Sequence, residues 1–204
     1  MRCERTVDRE LMPATTTGEQ AAMLPAMNPS NGLRVLISRE QIAGRVAELG
    51  EQITRDYHNQ TIIFVGVLKG ASFFLSDLAR QVQLDATFDF ISVSSYGSAV
   101  RSSGEVRIVK DVDNSLEGKN VIITEDILDT GLTMSFLRKQ FLNHHPKSLK
   151  IATLLDKASR RVTEIQGDYV GFEIPDEFVV GYGLDYAERY RNLPDICVLP
   201  PELQ

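Results

Sequence analysis

The stretch covering residues 120–133 constrains the fold more than any other feature of the chain. It opens with the β-branched run Val121–Thr124, which is typical of a strand buried on both faces. A turn containing Gly131 follows, and then a helical pattern of apolar residues formed by Met134, Leu137 and Phe141. A junction from strand to helix binds anions, because free backbone N–H groups and the positive end of the helix dipole point the same way. The stretch therefore predicts a phosphate site in an α/β fold, with the hydroxyls of Thr130 and Thr133 as further donors.

The order of strand, tight loop and helix recurs along the chain. Residues 61–67 form an unbroken apolar run that precedes Lys69-Gly70 and a helical pattern, and residues 148–155 form another buried strand. Such units imply right-handed crossovers and a mostly parallel twisted sheet flanked by helices, with ligands beyond the carboxyl ends of the strands. The nucleotide-binding patterns G-x-x-x-x-G-K-[ST] and G-x-G-x-x-G do not follow these strands.

Three acidic residues are expected at the same rim of the sheet. Glu125, Asp126 and Asp129 would repel a bare phosphate. They need ribose hydroxyls that donate to carboxylates, a Mg²⁺ ion, or positive charge that develops in a reaction, and a phosphorylated sugar supplies all three. The alternative, helix caps or solvated loop acids, suits a single acidic pair better than the full pattern E-D-x-x-D-T-G-x-T.

This pattern closely resembles the phosphoribosyl-diphosphate-binding signature of the type I phosphoribosyltransferases, in the form found in their hypoxanthine-guanine branch. The resemblance implies that Glu125 and Asp126 hold the ribose hydroxyls and a metal ion, and that Asp129 handles the purine-ring proton as general base. It also implies a cradle for the 5′-phosphate formed by Thr130, Gly131, Leu132 and Thr133. Leu132 occupies a position where animal members carry Lys, which favours the bacterial branch.

The loop after the first apolar strand supplies a cation. Lys69 carries positive charge and Gly70 lets backbone N–H groups approach a ligand closely, which suits a diphosphate, although Leu-Lys-Gly alone is more often a solvated loop. Family members hold diphosphate here through a cis peptide before the Lys, so the resemblance implies a cis bond between Leu68 and Lys69. It also assigns Arg191 to the diphosphate, although by sequence alone Arg191 is a surface residue.

Lys157 follows the buried strand at residues 148–155 and matches the family's base-recognising Lys. Its ammonium group only donates hydrogen bonds, so it recognises a carbonyl oxygen and predicts a 6-oxopurine and not adenine. The alternative is one more surface Lys beside Arg160 and Arg161.

The segment F-E-I-P-D-x-F-V-V-G-Y-G-L-D-Y closely matches the family's purine-binding hood. The match implies that Phe178 stacks on the purine, that the backbone at Val179 recognises its edge, and that Asp185 accepts from an amino group or helps to hold the metal. Without the resemblance, Phe178 is equally well a core residue and Asp185 a turn acid.

Residues 86–95 and 105–110 have strand patterns, and the small, polar residues between them predict a loop. Its Ser-Tyr-Gly is similar to the family's closing loop. The resemblance implies a lid with Ser95 and Tyr96 at its tip, which would exclude water from a cationic sugar. The alternative is a turn of no functional significance.

Length and composition fit one globular domain, since the chain has 204 residues, 43% of them hydrophobic and 25% charged. We expect residues 1–32 to be a flexible N-terminal extension, because they lack any period. Residues 33–204 are expected to form the phosphoribosyltransferase domain, with a small hood subdomain built from parts of 33–40 and 168–204.

Charge and cysteine content bear on partners and location. The net charge of -6 and the lack of a long Lys/Arg cluster disfavour nucleic acid and anionic membranes as partners. The apolar runs fall short of the ~20 residues that span a bilayer, and no secretory signal is recognised. Cys3 and Cys197 are expected to be reduced, so we expect a cytoplasmic protein. We also expect a homodimer or homotetramer.

The resemblance implies a purine-salvage enzyme with Mg²⁺ as cofactor. It would transfer the phosphoribosyl group of phosphoribosyl diphosphate to hypoxanthine and guanine, with release of diphosphate. The alternative is a non-catalytic regulator of the same fold that senses phosphoribosyl diphosphate and binds nucleic acid. Such a regulator is expected to lose the general base or the base-recognising Lys and to gain a basic face, and here Asp129 and Lys157 are both present.

Overall fold

The computed structural model describes residues 32–95 and 106–204, so residues 1–31 and Tyr96 lie outside the described part of the chain. The described strands are β1 (Arg34–Ile37), β2 (Ile62–Leu68), β3 (Ala86–Ser95), β4 (Val106–Lys110), β5 (Asn120–Leu128), β6 (Ser148–Asp156), β7 (Tyr169–Glu173), β8 (Val179–Val180) and β9 (Ile196–Val198). The described α-helices are α1 (Arg39–Asp56), α2 (Ala71–Gln81) and α3 (Leu132–Leu142).

Six strands form the main sheet, in the order β4-β3-β2-β5-β6-β7. Neighbouring strands are parallel, except that β3 and β4 pair antiparallel. The chain places β3 and β4 on one side of β2 and then β5, β6 and β7 on the other, so the strand order reverses between β2 and β5. Parallel sheets bind ligands at such a switch point. The predicted mostly parallel α/β sheet is confirmed.

Helices cover both faces of the main sheet, which explains why its central strands are continuous apolar runs. Side chains of β2 alternate between two cores. Phe64 packs in the core that α1 and α2 cover, whereas Val65 packs in the core that α3 covers. The start of α1 is a capping box, in which Ser38 Oγ accepts from the Gln41 N–H at 3.3 Å and the Gln41 side chain accepts from the Ser38 N–H at 2.9 Å. Among the described helices, none has both the length and the apolar character that crossing a bilayer requires.

A second, three-stranded antiparallel sheet has the order β1-β9-β8. It joins the two ends of the described chain, because Val35 of β1 and Val180 of β8 both pair with Cys197 of β9. This sheet contains segments that the sequence assigns to a hood, and β8 is one of its edge strands. The segment that carries the predicted purine-binding residues is thereby attached beside the main sheet.

Strand β5 is longer than its β-branched run predicts. The sequence suggests that the strand ends before Glu125, whereas β5 continues to Leu128 and pairs with β6 along this length. Its pairing with β2 ends earlier, at Gly66 opposite Thr124. Glu125 and Asp126 are therefore strand residues, held by β6 on one side, at the point where β2 has separated from β5. Tertiary pairing here overrides the low strand propensity of two acids.

Candidate active site

A cavity of about 320 Å³ lies beyond the carboxyl ends of β2 and β5, at the switch point of the sheet. It brings together most of the charged and phosphate-binding residues that the sequence predicts. These lining residues are Lys69, Gly70, Glu125, Asp126, Asp129, Thr130, Gly131, Thr133, Asp185 and Arg191. Leu132, the first residue of α3, does not line the cavity, and its side chain points largely to solvent.

The loop between β2 and α2 forms one wall of the cavity. Its peptide bond between Leu68 and Lys69 is cis, as predicted. A Cβ atom on Gly70 would overlap the carboxylate of Asp126, with its Cγ only 2.7 Å away, and would lie 3.3 Å from the carbonyl oxygen of Gly183. Glycine is therefore required here for the loop to approach β5 and the C-terminal segment closely.

Glu125 and Asp126 are half-buried neighbours that both line the cavity. Burial raises the pKa of Glu125 well above its usual range, and the charge of Asp126 adds to the effect. Burial also raises the pKa of Asp126, against the hydrogen bonds from Glu125 and from the Ile127 N–H at 2.8 Å and against the charge of Arg191. Both shifts disfavour the ionised forms, and a cation placed beside the pair would favour them.

Two cations that line the cavity are paired with carboxylates. Lys69 Nζ lies 2.8 Å from Glu188 Oε2, and Arg191 Nη2 lies 2.8 Å from Asp185 Oδ1 and 3.6 Å from Glu188 Oε1. Glu188 thus bridges both cations, and its hydrogen bond with Lys69 lowers the pKa of its carboxyl. Arg191 Nη1 donates to the carbonyl of Gly183 at 2.8 Å, while its buried Nε has no acceptor among the described residues.

Another wall is the loop from β5 to α3. Gly131 precedes α3 with a φ of 82°, a left-handed conformation that glycine adopts without strain. The carboxylate of Asp129 lies 3.2 Å from Nε of Arg160, but the N–H does not point at it, so the buried Oδ1 accepts no hydrogen bond from any described residue. A buried carboxylate oxygen without a donor is poised to accept a proton or a hydrogen bond from a ligand.

A second cavity of about 430 Å³ contains the predicted base-recognising residues, including Lys157 and Phe178. The Lys157 side chain is only 6% exposed, and its nearest carboxylate is that of Asp176 at 4.0 Å. A nearly buried ammonium group without a close acceptor favours a ligand that brings one. The Phe178 ring is 41% exposed and packs edge-to-face on Tyr186, with the ring centres 5.7 Å apart.

The two cavities meet at Arg160. Its guanidinium lies 3.2 Å from Asp129, which lines the first cavity, and 3.4 Å from Asp176, which lines the second. Val179 is buried in the edge strand β8, beside Phe178, and pairs with β9 on one side only. The sequence-predicted residues therefore lie in two adjoining cavities rather than in one.

Three charged residues of the site were missed or misjudged from sequence. Arg160 and Arg161 were considered only as surface neighbours of Lys157, yet Arg160 contacts Asp129 and the Arg161 side chain is only 12% exposed. Glu188 was not considered, because its partner Lys69 is 119 residues away in the chain. The adjacent pair Arg160-Arg161, three residues after Lys157, is the one local signal that could have found the first two.

Comparison with known proteins identifies the family. Residues 37–187 match the phosphoribosyl transferase domain. The hypoxanthine-guanine phosphoribosyltransferase of Bacillus subtilis is 54% identical over 168 residues, which cover 82% of this chain and 93% of that protein. The chain belongs to the hypoxanthine-guanine phosphoribosyltransferases. The predicted family and its fold are confirmed.

Two other members of this family extend the comparison. The hypoxanthine-guanine phosphoribosyltransferase of Mycobacterium tuberculosis is 46% identical over 196 residues, covering 93% of this chain and 95% of that protein. This alignment is too long for residues 33–204 alone, so it reaches into the N-terminal segment. The crystal structure of a hypoxanthine-guanine phosphoribosyltransferase from Bacillus anthracis, with a HEPES molecule in its active site, superimposes with a TM-score of 0.78. It shares 51% sequence identity and covers 81% of this chain and 98% of that chain.

Proposed function

We propose that this phosphoribosyltransferase transfers the 5-phosphoribosyl group from phosphoribosyl diphosphate to hypoxanthine and guanine, giving IMP and GMP with release of diphosphate. This is the reaction of purine salvage. One observation carries the proposal: a phosphate-binding loop, an acidic pair and two cations line one cavity, and a buried Lys lies in the cavity next to it. The names of the relatives agree with it.

The phosphoribosyl group is assigned to the loop and the acidic pair. Backbone N–H groups of residues 130–133 and the hydroxyls of Thr130 and Thr133 would bind the 5′-phosphate at the start of α3. The carboxylates of Glu125 and Asp126 would accept hydrogen bonds from the ribose hydroxyls. Leu132 contributes its backbone only, since its side chain lies outside the cavity.

Magnesium fits the same acids. Burial raises the pKa values of both Glu125 and Asp126, and the charge of Asp126 adds to the shift of Glu125, so a divalent cation beside the pair would stabilise their ionised forms. Among the described residues, no group of three or more His, Cys, Asp or Glu side chains is placed to hold a metal ion. Mg²⁺ commonly takes one or two carboxylates and completes its shell with water and substrate phosphates, so this pair suits it, and Asp185 is a further candidate ligand. When bound, Mg²⁺ would neutralise the charge that grows on the departing diphosphate.

The diphosphate is assigned to Lys69, the N–H groups around Gly70, and Arg191. Oxygen atoms of the diphosphate would replace the carboxylates of Glu188 and Asp185, which pair with the two cations in the absence of substrate. Asp185 must leave Arg191 before it can hold a metal ion, because one of its oxygens pairs with that guanidinium and the other accepts from the Glu188 N–H at 2.9 Å.

The purine is assigned to the second cavity. Lys157 would donate to the 6-oxo group, the Phe178 ring would stack on the base, and the free edge of β8 at Val179 would bind the purine edge. Asp185 would accept from the amino group of guanine. A base held there extends past Arg160 toward Asp129, which lines the neighbouring cavity.

The proposed chemistry needs no covalent intermediate. Asp129, whose Oδ1 lacks a hydrogen-bond donor among the described residues, would accept the purine-ring proton while a ring nitrogen attacks the anomeric carbon. Positive charge on the sugar would develop beside Glu125 and Asp126, and negative charge on the diphosphate beside Lys69 and Arg191. The closing-loop role of Ser95 and Tyr96 stays a prediction, since Tyr96 lies outside the described residues.

The proposal is tested by incubating the pure protein with hypoxanthine, phosphoribosyl diphosphate and Mg²⁺, and measuring IMP and diphosphate. Equal amounts of both products are expected with hypoxanthine or guanine, and none with adenine or when Mg²⁺ is chelated. Competition between bases would then give the preference among hypoxanthine, guanine and xanthine. No turnover, together with binding of phosphoribosyl diphosphate and nucleic acid, would instead support the regulator.

We also propose that the protein acts in the cytoplasm as a homodimer or homotetramer. Sedimentation of the pure protein tests the assembly, with a single species of two or four chains expected and a monomer contradicting it. Fractionation of the source cells tests the location.

A further inference from the structure

The guanidinium of Arg161 lies behind the phosphate-binding loop and has no role in the function proposed above. Its Nε donates to the carbonyl oxygen of Asp129 at 2.9 Å and its Nη2 to that of Leu128 at 3.1 Å. Nη1 donates to the carbonyl oxygen of Ile165, and Nη2 also pairs with the carboxylate of Asp156 at the end of β6. The side chain is only 12% exposed, so these are enclosed, charge-assisted hydrogen bonds.

These contacts orient three successive peptide groups. The carbonyl of Leu128 accepts from Arg161 and from the Lys157 N–H at 3.0 Å, that of Asp129 accepts from Arg161, and that of Thr130 accepts from the Val162 N–H at 3.0 Å. In a trans peptide group the N–H points opposite to the C=O. The N–H groups of residues 129–131 therefore point away from the segment 157–162.

The opposite side of the loop is the side of the cavity. Leu128, Asp129, Thr130 and Gly131 line the cavity, whereas Arg161 does not. Successive N–H groups that point into one concavity form an anion-binding site. Within the described residues, the backbone N–H groups of Asp129 and Thr130 have no acceptor, so they are free to bind a phosphate.

Packing of the Arg161 stem supports the same arrangement. A Cβ atom on Gly131 would lie 2.8 Å from Cδ of Arg161 and would also overlap side-chain atoms of Thr163 and Ile165. The loop thus rests directly on the segment 161–165. The guanidinium donates both to the carbonyls of Leu128 and Asp129 and to the carboxylate of Asp156, the last residue of β6, so it ties the loop to the sheet.

We propose that Arg161 is a positioning residue, which turns the Leu128 and Asp129 carbonyls away from the cavity and so presets the loop amides for the 5′-phosphate. This inference rests on the proposed function, because it assumes that the loop binds that phosphate. Arg161 touches no substrate in this account. It acts through the peptide groups on either side of the general base.

The test compares two ligands in wild-type protein and in Arg161→Lys. Lysine keeps the charge but cannot donate to both carbonyls and Asp156 at once. Affinity for IMP, which needs the loop, is expected to fall roughly 10- to 100-fold, the effect of losing charge-assisted hydrogen bonds. Affinity for Mg²⁺-diphosphate, assigned to Lys69 and Arg191, is expected to change less than about twofold, because those contacts are untouched. Both affinities are measured by calorimetric titration.

The matched control is Arg45→Lys. Arg45 also donates to two successive backbone carbonyls, those of Val170 at 2.9 Å and Gly171 at 2.9 Å, but on β7 and away from both cavities. Arg45→Lys should lower the melting temperature and leave the affinities for IMP and Mg²⁺-diphosphate unchanged. A purely structural role for Arg161 predicts the same result for Arg161→Lys, or an equal loss of both ligands, and either result would overturn the proposal.

A second variant tests the proposal in case Arg161→Lys does not fold. Asp156→Asn leaves Arg161 in place and weakens its anchor, so a smaller loss confined to IMP is expected. If Arg161→Lys does not fold, an unchanged affinity for IMP in folded Asp156→Asn would overturn the inference. Failure of the wild-type protein to bind IMP at all would instead refute the proposed function, so the two failures are distinguishable.

Discussion

Each cation that we assign to the diphosphate is already paired with a carboxylate of the protein. Lys69 pairs with Glu188, and Arg191 pairs with Asp185 and Glu188. When diphosphate binds, these cations therefore exchange carboxylate partners for phosphate oxygens. The binding free energy gained is the difference between the old and the new ion pairs. Glu188 has both oxygens directed at these cations and is assigned no contact with substrate, so in this structure it competes with the diphosphate.

Replacing Glu188 by Gln is expected to strengthen diphosphate binding. The gain should be less than about fivefold, because exposed ion pairs are weak and are screened by salt. Titration with inorganic diphosphate and Mg²⁺ measures it, and the gain should shrink as salt is added. Glu51→Gln on α1 is the control, since it removes the same charge from an exposed ion pair with Arg55. Weaker diphosphate binding in Glu188→Gln would show that Glu188 assists the site.

Replacing Asp129 by Asn is expected to remove the general base and to keep its shape. Turnover should fall about 100- to 10,000-fold, the range for loss of a general base, while IMP still binds. Steady-state kinetics and titration with IMP measure the two effects. Asp85→Asn, a change at an exposed acid just before β3, should have wild-type turnover. Near-full activity of Asp129→Asn would remove the assigned role.

For individual residues, the sequence predicts which side chains have a function better than it predicts which side chains contact each other. Lys69 and Lys157 could be found because each follows a recognisable strand, and Asp129 because it belongs to the acidic pattern that resembles a known signature. The pairing of Lys69 with Glu188 and the position of Arg161 behind the loop could not, because such contacts depend on how distant segments pack. Hydrophobic periodicity shows which residues of one segment share a face, and it does not show which distant segment packs on that face.

At the scale of elements, the crevice exists because two neighbouring strands separate. β2 stops pairing with β5 at Thr124, and β5 continues along β6 for four more residues, which places Glu125 and Asp126 in the gap. The bounds of β2, β3 and β6 could be predicted within a residue or two from their apolar and alternating patterns. The end of β5 could not, since its extension depends on pairing with β6 and the local sequence is acidic.

The gap is kept narrow by Gly70, and substituting Ala tests this. The backbone at Gly70 is right-handed helical, so Ala costs no backbone strain, but its Cβ would overlap the Asp126 carboxylate. Affinity for phosphoribosyl diphosphate is expected to fall about 10- to 100-fold, which corresponds to the ~1–3 kcal/mol cost of overpacking. Initial-rate kinetics at varied substrate concentration measure it.

Gly44→Ala is the matched control for this substitution. Gly44 lies within α1, where nothing is within 4 Å of the added Cβ. This variant should keep its substrate affinity and gain about 0.5–1 kcal/mol of helix stability, measurable by urea unfolding. Unchanged affinity in Gly70→Ala would show that the close approach is not needed for binding.

On the scale of the whole molecule, the site depends on two sheets. The main sheet supplies the acids, the phosphate loop and Lys157, whereas the segment around Phe178 and Asp185 belongs to the chain region of β8 and β9. The sequence assigns these parts to one function by their resemblance to known motifs. Their division between two adjoining cavities, joined at Arg160, follows only from the packing of the two sheets.

Global stability is expected to depend on pH through Asp89 of β3. Burial acts to raise the pKa of this carboxyl, but hydrogen bonds from Phe90, Asn114 and Asp113 outweigh it and hold the pKa below the ordinary 3.8. The folded state thus binds fewer protons than the unfolded state, so the stabilisation is present above pH 3.8 and is lost as pH falls through the folded-state pKa.

Asp89→Asn should therefore lose about 1–3 kcal/mol of unfolding free energy at neutral pH, the worth of hydrogen bonds to a buried charge. Urea unfolding of both proteins at a series of pH values measures the difference. It should shrink as the pH falls below 3.8. A difference that stays constant with pH would show that the charge of Asp89 is not what stabilises the turn after β4.

The central claim, that two adjoining cavities beside the switch point hold phosphate and diphosphate in one and the purine in the other, is tested most directly by a crystal structure with IMP, diphosphate and Mg²⁺. The account predicts the 5′-phosphate on the amides of residues 129–133, the diphosphate between Lys69 and Arg191, and the 6-oxo group on Lys157. An IMP molecule bound elsewhere, or with its phosphate away from this loop, would contradict the account.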